Sequence, residues 1–283
     1  YMWMFRTGRG SPPIVVYDYQ TTRAAKHPVN FLAGYSGVLQ VDGYAGYNKL
    51  QSSSVKLAGC WAHVRRCYTD IVASLPKDAQ IKGSHTEQAL KMIGRLYAVE
   101  KELNNKIEAA FVDEQSLAEI LATRQQQSLP ICDEYFKWCR ENRSLVSGKL
   151  LNAINYSLNE ETKLRIFLEN PSCEIDNNRA ERSIKPFVMG RKAWLFSNSP
   201  RGASSSAMIF SLIVTAKENK LKVFDYLLYV LQSMSSDIAA DRIPNLKALV
   251  PWSEHLPTFL HTSRKVTACY FFTLTHRRPG ACI

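Results

Sequence analysis

Apolar and aromatic residues alternate over residues 1–6, and residues 13–19 are β-branched and aromatic. Both read as strands, and Gly8-Arg9-Gly10-Ser11-Pro12 between them has hairpin-turn chemistry. Residues 23–32 carry apolar positions suited to a helix, which Pro28 shortens or kinks. Gly37-Val38-Leu39-Gln40-Val41 reads as a buried strand ending at Asp42-Gly43, and residues 44–50 as a helical turn. Residues 55–60 predict a further strand that feeds directly into a helix beginning at Trp61. Strands alternating with helices in this way indicate an α/β sheet.

From about residue 66 to 168 the pattern becomes helical almost throughout. Leu90, Ile93, Tyr97, Leu103, Ile107 and Phe111 form one stripe, and Leu117, Ile120 and Leu121 begin another. Pro130 is expected to break that run before Tyr135 and Trp138, and Leu151, Ile154 and Leu158 mark a shorter helix. The segment reads as a helical insertion within one catalytic core; a separate helical domain is the alternative. Two more helices follow, one lined by Ala207, Phe210, Ile213, Val214 and Lys217, the other by Phe224, Leu227, Leu228, Leu231 and Met234. Residues 245–252 suggest one further short helix, whereas 258–283 show no clear period. No internal repeat or low-complexity tract is present.

A chain of 283 residues buries enough surface to need no covalent staples. Its net charge of +11 favours a polyanionic partner, most commonly nucleic acid, against the plainer reading of a basic but uninvolved surface. The seven cysteines (60, 67, 132, 139, 173, 269 and 282) are odd in number and never spaced Cys-x-x-Cys. They argue against a disulfide framework and a four-cysteine zinc site, and suit the cytoplasm. No apolar stretch approaches the ~20 residues that span a bilayer, and no signal-peptide pattern opens the chain, so no membrane association is expected. The chain begins at Tyr1 inside an expected strand, which reads as a fragment lacking its natural N-terminus.

Candidate chemistry centres on Ile175-Asp176-Asn177-Asn178-Arg179-Ala180-Glu181-Arg182. Asn178 is a good N-cap and Glu181 completes a capping-box pattern, with Pro186 expected to end or kink the helix. Gly190-Arg191-Lys192 then reads as a basic turn before the apolar Trp194-Leu195-Phe196. A carboxylate among cations suits a divalent metal facing a polyanion, while the plainer reading has Glu181 capping the helix and pairing with Lys185. Asp42, at the end of a buried strand, either points into an open site or is half of an Asp-Gly turn. Two such carboxylates plus a third would hold two Mg²⁺ ions about 3.5–4 Å apart for in-line attack on a phosphodiester. Candidate phosphate contacts are Arg65, Arg66, Arg179, Arg182, Lys185, Arg191, Lys192 and Arg201, which would position DNA without reading it. Cys60 and His63, at i and i+3, either share a helical face that binds metal or support a catalytic carboxylate or DNA by hydrogen bonding. A satisfied, partly buried histidine is equally compatible with the pattern.

Four blocks then occur in order: Leu39-Gln40-Val41-Asp42-Gly43-Tyr44-Ala45-Gly46-Tyr47, Gly59-Cys60-Trp61-Ala62-His63-Val64-Arg65-Arg66, the Glu181 stretch, and Gly190-Arg191-Lys192-Ala193-Trp194-Leu195-Phe196. Together with Tyr17-Asp18-Tyr19, Arg23 and Ser199-Pro200-Arg201-Gly202-Ala203, they resemble the catalytic region of bacterial transposases of the insertion sequence 66 family, over residues 1–257. The resemblance implies an α/β, RNase H-like core with a large helical insertion and C-terminal helices. It implies an Asp-Asp-Glu metal site using two Mg²⁺ (or Mn²⁺) ions, in which Asp42 is similar to the second Asp and Glu181 to the Glu. The family's first Asp, in an Asp-Glu-Thr motif, precedes the strand near Tyr1 and is not in this chain; Asp18 matches a different family position. The implied activity is DNA transposition, a recombination in which strands are cleaved and joined at transposon ends, with this fragment itself expected to be inactive. The implied partners are double-stranded DNA, further copies of the full-length chain and small accessory proteins of the same element, at the bacterial nucleoid. An RNase H-like nuclease or resolvase, and a non-catalytic DNA-binding remnant, are the competing readings. The expected division is 1–66 and 171–257 for the core, 67–170 for the insertion, and 258–283 for a poorly ordered tail, read as the read-through or frameshifted end of an interrupted element.

Overall fold

A computed structural model describes residues 1–76, 82–107, 112–193 and 199–262, with backbone only for 191–193. The chain is mixed α/β, with helices predominating, and divides into two compact units. The smaller comprises Tyr1–Thr7, Ser11–Arg23 and the chain from Ala180 onward; the larger comprises Gly8–Gly10 and Ala24–Arg179.

In the smaller unit, strands β1 (Met2–Arg6) and β2 (Val15–Tyr19) pair antiparallel, with Met2 opposite Tyr19 and Arg6 opposite Val15. The hairpin expected around Gly8–Gly10 is closed by Thr7 N–H donating to the Ile14 carbonyl at 3.0 Å. The outer edge of β2 meets no third strand among the described residues. A helix spanning Pro200–Glu218 closes it instead: Thr215 Oγ1 accepts from Val15 N–H and donates to the Val15 carbonyl, both at 3.0 Å, and Ser211 Oγ accepts from Tyr17 N–H at 2.9 Å. Strand-edge amides are obligatory hydrogen-bonding groups, and here helix hydroxyls satisfy them. Val15, Tyr17, Phe187, Ala207 and Val214 form the core between hairpin and helices.

The larger unit begins with helix α1 (Lys26–Phe31) and two parallel strands, β3 (Gly37–Gln40) and β4 (Val55–Ala58). The crossover between them holds the expected helical turn, a 3₁₀ segment over Ala45–Leu50. Helices α2 (Trp61–Ala73), α3 (His85–Lys106), α4 (Glu114–Thr123), α5 (Leu129–Asn142), α6 (Gly148–Asn159), α7 (Glu161–Leu164) and α8 (Ile166–Glu169) follow. Trp61, fully buried, lies edge-on to Tyr135 at 5.3 Å and donates its indole N–H to the Leu164 carbonyl at 3.0 Å. Arg124 is also fully buried; it grips the Glu100 carboxylate at 2.7 and 2.8 Å and donates to the carbonyls of Phe167 and Cys173, both at 2.9 Å.

Four expectations require correction. Pro130 does not break the run: α4 passes through a π-helical stretch, Arg124–Ser128, into α5, and Pro130 falls in the first turn of α5, where its missing N–H is tolerated. Pro186 does not end its helix: α9 runs Asn178–Ala193, so Gly190 to Lys192 are helical rather than a turn. Near the proline, the Tyr17 hydroxyl donates to the Ser183 carbonyl and Arg6 donates to Ser183 Oγ at 2.5 Å, which anchors that turn of the helix to the hairpin. The Pro200–Glu218 helix (α10) is followed by α11 (Val223–Ala239), whose apolar stripe is largely exposed rather than packed. Finally, the boundary at residue 258 cuts through a packed turn, because Leu260 is buried with Leu221 and Tyr226. Phe111, the Trp194 to Phe196 run and residues 263–283 lie outside the described residues.

Burial raises several thiols, Cys139 up to about 11 and Cys132 and Cys173 up to about 12. Thiols of an unfolded chain ionise near pH 8.5. Above that pH the folded state holds more protons than the unfolded one, so stability is full below it and falls as pH rises through 11–12. Melting temperature is expected to be insensitive to these thiols at pH 7–8 and to fall progressively above pH 9. Constancy up to pH 11 would contradict their burial.

Candidate functional site

Asp42 stands where β3 runs out. Val41 N–H donates to the Ala58 carbonyl at 2.9 Å, one residue beyond the strand, and the chain then turns at Asp42. Its Oδ1 accepts from Tyr44 N–H at 2.9 Å, an Asx turn, so the plainer reading of Asp42-Gly43 as turn chemistry holds. That turn uses one oxygen. Among the described residues, Oδ2 makes no hydrogen bond or ion pair, and the side chain is half-buried. Gly43 packs against Tyr156, whose hydroxyl would lie 2.9 Å from a Cβ at that position. Burial, then Glu160, the Cys67 and Cys60 thiols and Asp42, keep the Tyr156 phenol protonated well above its ordinary value. The parallel pairing of β3 and β4, continued by the Val41 N–H on the Ala58 carbonyl, brings Asp42 and Cys60 to the same end of the two strands.

The strip from Glu174 to Asn178 is pinned beside them. Gln40 Nε2 donates to the Glu174 carbonyl at 2.7 Å, Trp61 N–H to the Ile175 carbonyl at 3.1 Å, and Asn177 N–H to Cys60 Sγ at 3.3 Å. Asp176 is buried and fully engaged: Oδ2 accepts from the Tyr97 hydroxyl at 2.9 Å and Asn178 Nδ2 at 2.7 Å, Oδ1 from Asn178 N–H at 3.0 Å. Asn178 is thus the first residue of α9 rather than its cap, and Asp176 holds the helix entry. Sequence reasoning missed that role, although the Asp-x-Asn spacing that permits it was in view. Tyr97→Phe is expected to destabilise the chain by about 1–2 kcal/mol, because Asp176 loses a donor it cannot replace from water. Urea unfolding checks this, and an unchanged midpoint would rule the tether out.

Cys60 precedes α2 with extended backbone, so it does not share a helical face with His63. Burial raises its thiol, outweighing the backbone donors that lower it. As the structure stands, the thiol is buried and accepts the Asn177 amide N–H, so it packs against the Glu174 to Asn178 strip. His63 lies half-buried in the first turn of α2.

The candidate cations divide between the units. In the larger, Arg65 and Arg66 are exposed, Arg65 over the Tyr97 ring at 5.6 Å, and Arg179 pairs with Glu174 at 3.3 Å. In the smaller, Arg182, Lys185 and Arg201 are exposed, the first two on α9 with half-buried Glu181. Arg191 and Lys192 lie on α9, with side chains outside the described residues. Asp42 belongs to the larger unit and Glu181 to the smaller. Among the described residues no three His, Cys, Asp or Glu side chains converge on one metal position. The donor chemistry nonetheless fits a hard cation, because Asp42 offers an uncommitted carboxylate oxygen.

Compared with known families, residues 1–205 match the one described as "Transposase IS66 family". Curated relatives in Sinorhizobium fredii include the uncharacterized proteins y4qI, 34% identical over 256 residues, and y4jD, 30% identical over 253 residues. A third, y4hP, is 29% identical over 259 residues. These matches cover 86–87% of this chain but only 44–46% of each relative, so the chain spans less than half their length. No solved structure matches.

Proposed function

The chain belongs to the IS66 family of transposases, and from that premise we propose that it contributes to the catalytic region of an enzyme that cuts and joins DNA at transposon ends. In this reading the two units carry an RNase H-like core interrupted by the helices from α2 to α8. Asp42 and Glu181 would hold divalent metal, Mg²⁺ or Mn²⁺. Such ions, when bound, activate the attacking oxygen and stabilise the leaving one. The observation that carries the reading is the carboxylate of Asp42 at the end of a parallel strand, half committed to its turn and half available.

The protein's own contribution is positional. Oδ1 of Asp42 is fixed by its Asx turn, which orients Oδ2. Asp176 and Tyr97 fix the start of the helix that carries Glu181. Exposed Arg65, Arg66, Arg182, Lys185 and Arg201 take phosphate contacts, while Arg179 is restrained by Glu174. Backbone scission by Fe²⁺ and ascorbate, with Fe²⁺ standing in for Mg²⁺, tests the metal assignment independently of activity. Cuts are expected near residues 42 and 181, suppressed by excess Mg²⁺ and by Asp42→Ala. Scission that survives Asp42→Ala would sink the assignment.

DNA affinity is expected to fall steeply with salt, with a log–log slope of roughly −0.9 for each phosphate neutralised. Arg65→Ala with Arg66→Ala should lower that slope by about two, measured by fluorescence anisotropy on a duplex. An unchanged slope would remove both residues from the interface.

A further inference from the structure

Helix α11 turns one face inward, with Tyr226 fully buried and Val223, Leu227 and Val230 packed around it. The opposite face carries Phe224, Leu228, Leu231 and Ile238, which remain 78%, 44%, 63% and 65% exposed. With the exposed Ser235 these positions are spaced 4, 3, 4 and 3 residues apart, the repeat of a coiled-coil seam. Isolated exposed leucines are ordinary, but an aligned apolar row is not. The helix has no Lys, Arg or Glu, although the whole chain has a net charge of +11. Its two acids, Asp225 and Asp237, lie off the seam, and Asp237 is held by Arg242 at 2.9 Å.

We propose that α11 is a self-association surface, on which two copies of this chain pair antiparallel about a two-fold axis passing beside Leu231. The seam is self-complementary in that orientation, as a two-fold interface requires. Phe224 meets the partner's Ile238, Leu228 meets the small Ser235, and Leu231 meets its own copy. The ends complement each other as well: exposed Lys222 at the amino end lies towards Asp241 at the carboxyl end of the other copy, and the helix dipoles oppose. A helix of 17 residues is about 25 Å long, and one face of it offers on the order of 500 Å². Ile243 and Leu246, 96% and 59% exposed just beyond the helix, can extend the contact. Two such faces bury about 1,000 Å² in all, which places the contact among small, reversible interfaces. This inference rests on the helix alone and stands or falls apart from the metal assignment.

Sedimentation equilibrium of the whole chain, free of DNA and in high salt, should show a concentration-dependent dimer. Leu231→Glu sets two carboxylates against each other at the axis and is expected to weaken the dimer at least tenfold, leaving the melting temperature unchanged at concentrations where both chains are monomeric. Ser236→Glu, off the seam, should leave association as it was. A monomer at every concentration, a dimer indifferent to Leu231→Glu, or equal loss with Ser236→Glu would each overturn the proposal. A lower melting temperature in Leu231→Glu at concentrations where both chains are monomeric would do so too, because it would mean the chain's own residues cover the face.

Discussion

Arg124→Ala is expected to destabilise the chain by about 3–5 kcal/mol, which lowers the melting temperature by something on the order of 10 °C. The guanidinium is 0% exposed and its partner Glu100 is 3% exposed, so alanine strands a carboxylate where water cannot reach it. The same change orphans the carbonyls of Phe167 and Cys173, which lie in the connection leading to the Asp176 strip. Arginine is needed because its planar fork serves a carboxylate and these carbonyls at once; lysine presents a single point donor. Arg124→Lys should therefore recover only part of the loss. Arg124→Met combined with Glu100→Leu should recover more than either single change, since removing both charges removes the desolvation cost. Calorimetry on the five variants decides the matter. Additive losses in the double variant would show that the pair is not the source of the effect.

Trp61→Ala should cost a similar amount, about 3–5 kcal/mol, through a cavity at the centre of the larger core. The indole touches Tyr135 and Phe136 and donates to the Leu164 carbonyl, while the Trp61 amide holds the Ile175 carbonyl. Collapse around alanine would therefore loosen the strip that carries Asp176 as well as the core. Hydrogen exchange at the Asn177 amide, donated to Cys60 Sγ in the intact chain, is expected to accelerate by at least tenfold. Trp61→Phe keeps the ring packing and loses the N–H donor, and should cost only about 1–2 kcal/mol. If the phenylalanine and alanine variants unfold at the same urea concentration, cavity formation is not the controlling term.

Much of the local structure was legible in the residues. Gly8 to Pro12 announced the hairpin, and the passage from the apolar run after Val55 into Trp61 announced a strand feeding a helix. Asp42 was readable as a strand-end carboxylate because an apolar strand and turn residues each leave a short-range signature, although β3 is only half-buried rather than the buried strand expected. Arg124 was not readable: it opens the polar run Arg124-Gln125-Gln126-Gln127-Ser128, which in one dimension looks solvated. Its burial follows from a carboxylate 24 positions away and carbonyls more than 40 positions away. Asp176 was hidden differently, since its donor Tyr97 sits in a stripe that reads as core.

Periodicity along the chain determined where helices and strands form and which residue types could do phosphate and metal chemistry, because those depend on neighbours within one turn or one strand. Which faces are covered was decided by tertiary structure alone. Thr215 and Ser211 close the edge of β2, the Tyr97 hydroxyl engages Asp176, and the row from Phe224 to Ile238 faces outward despite the same spacing that buries Ile93 and Leu96. The physical reason is that a side-chain repeat specifies an apolar face but not the surface that meets it; that surface arrives from residues tens to hundreds of positions away.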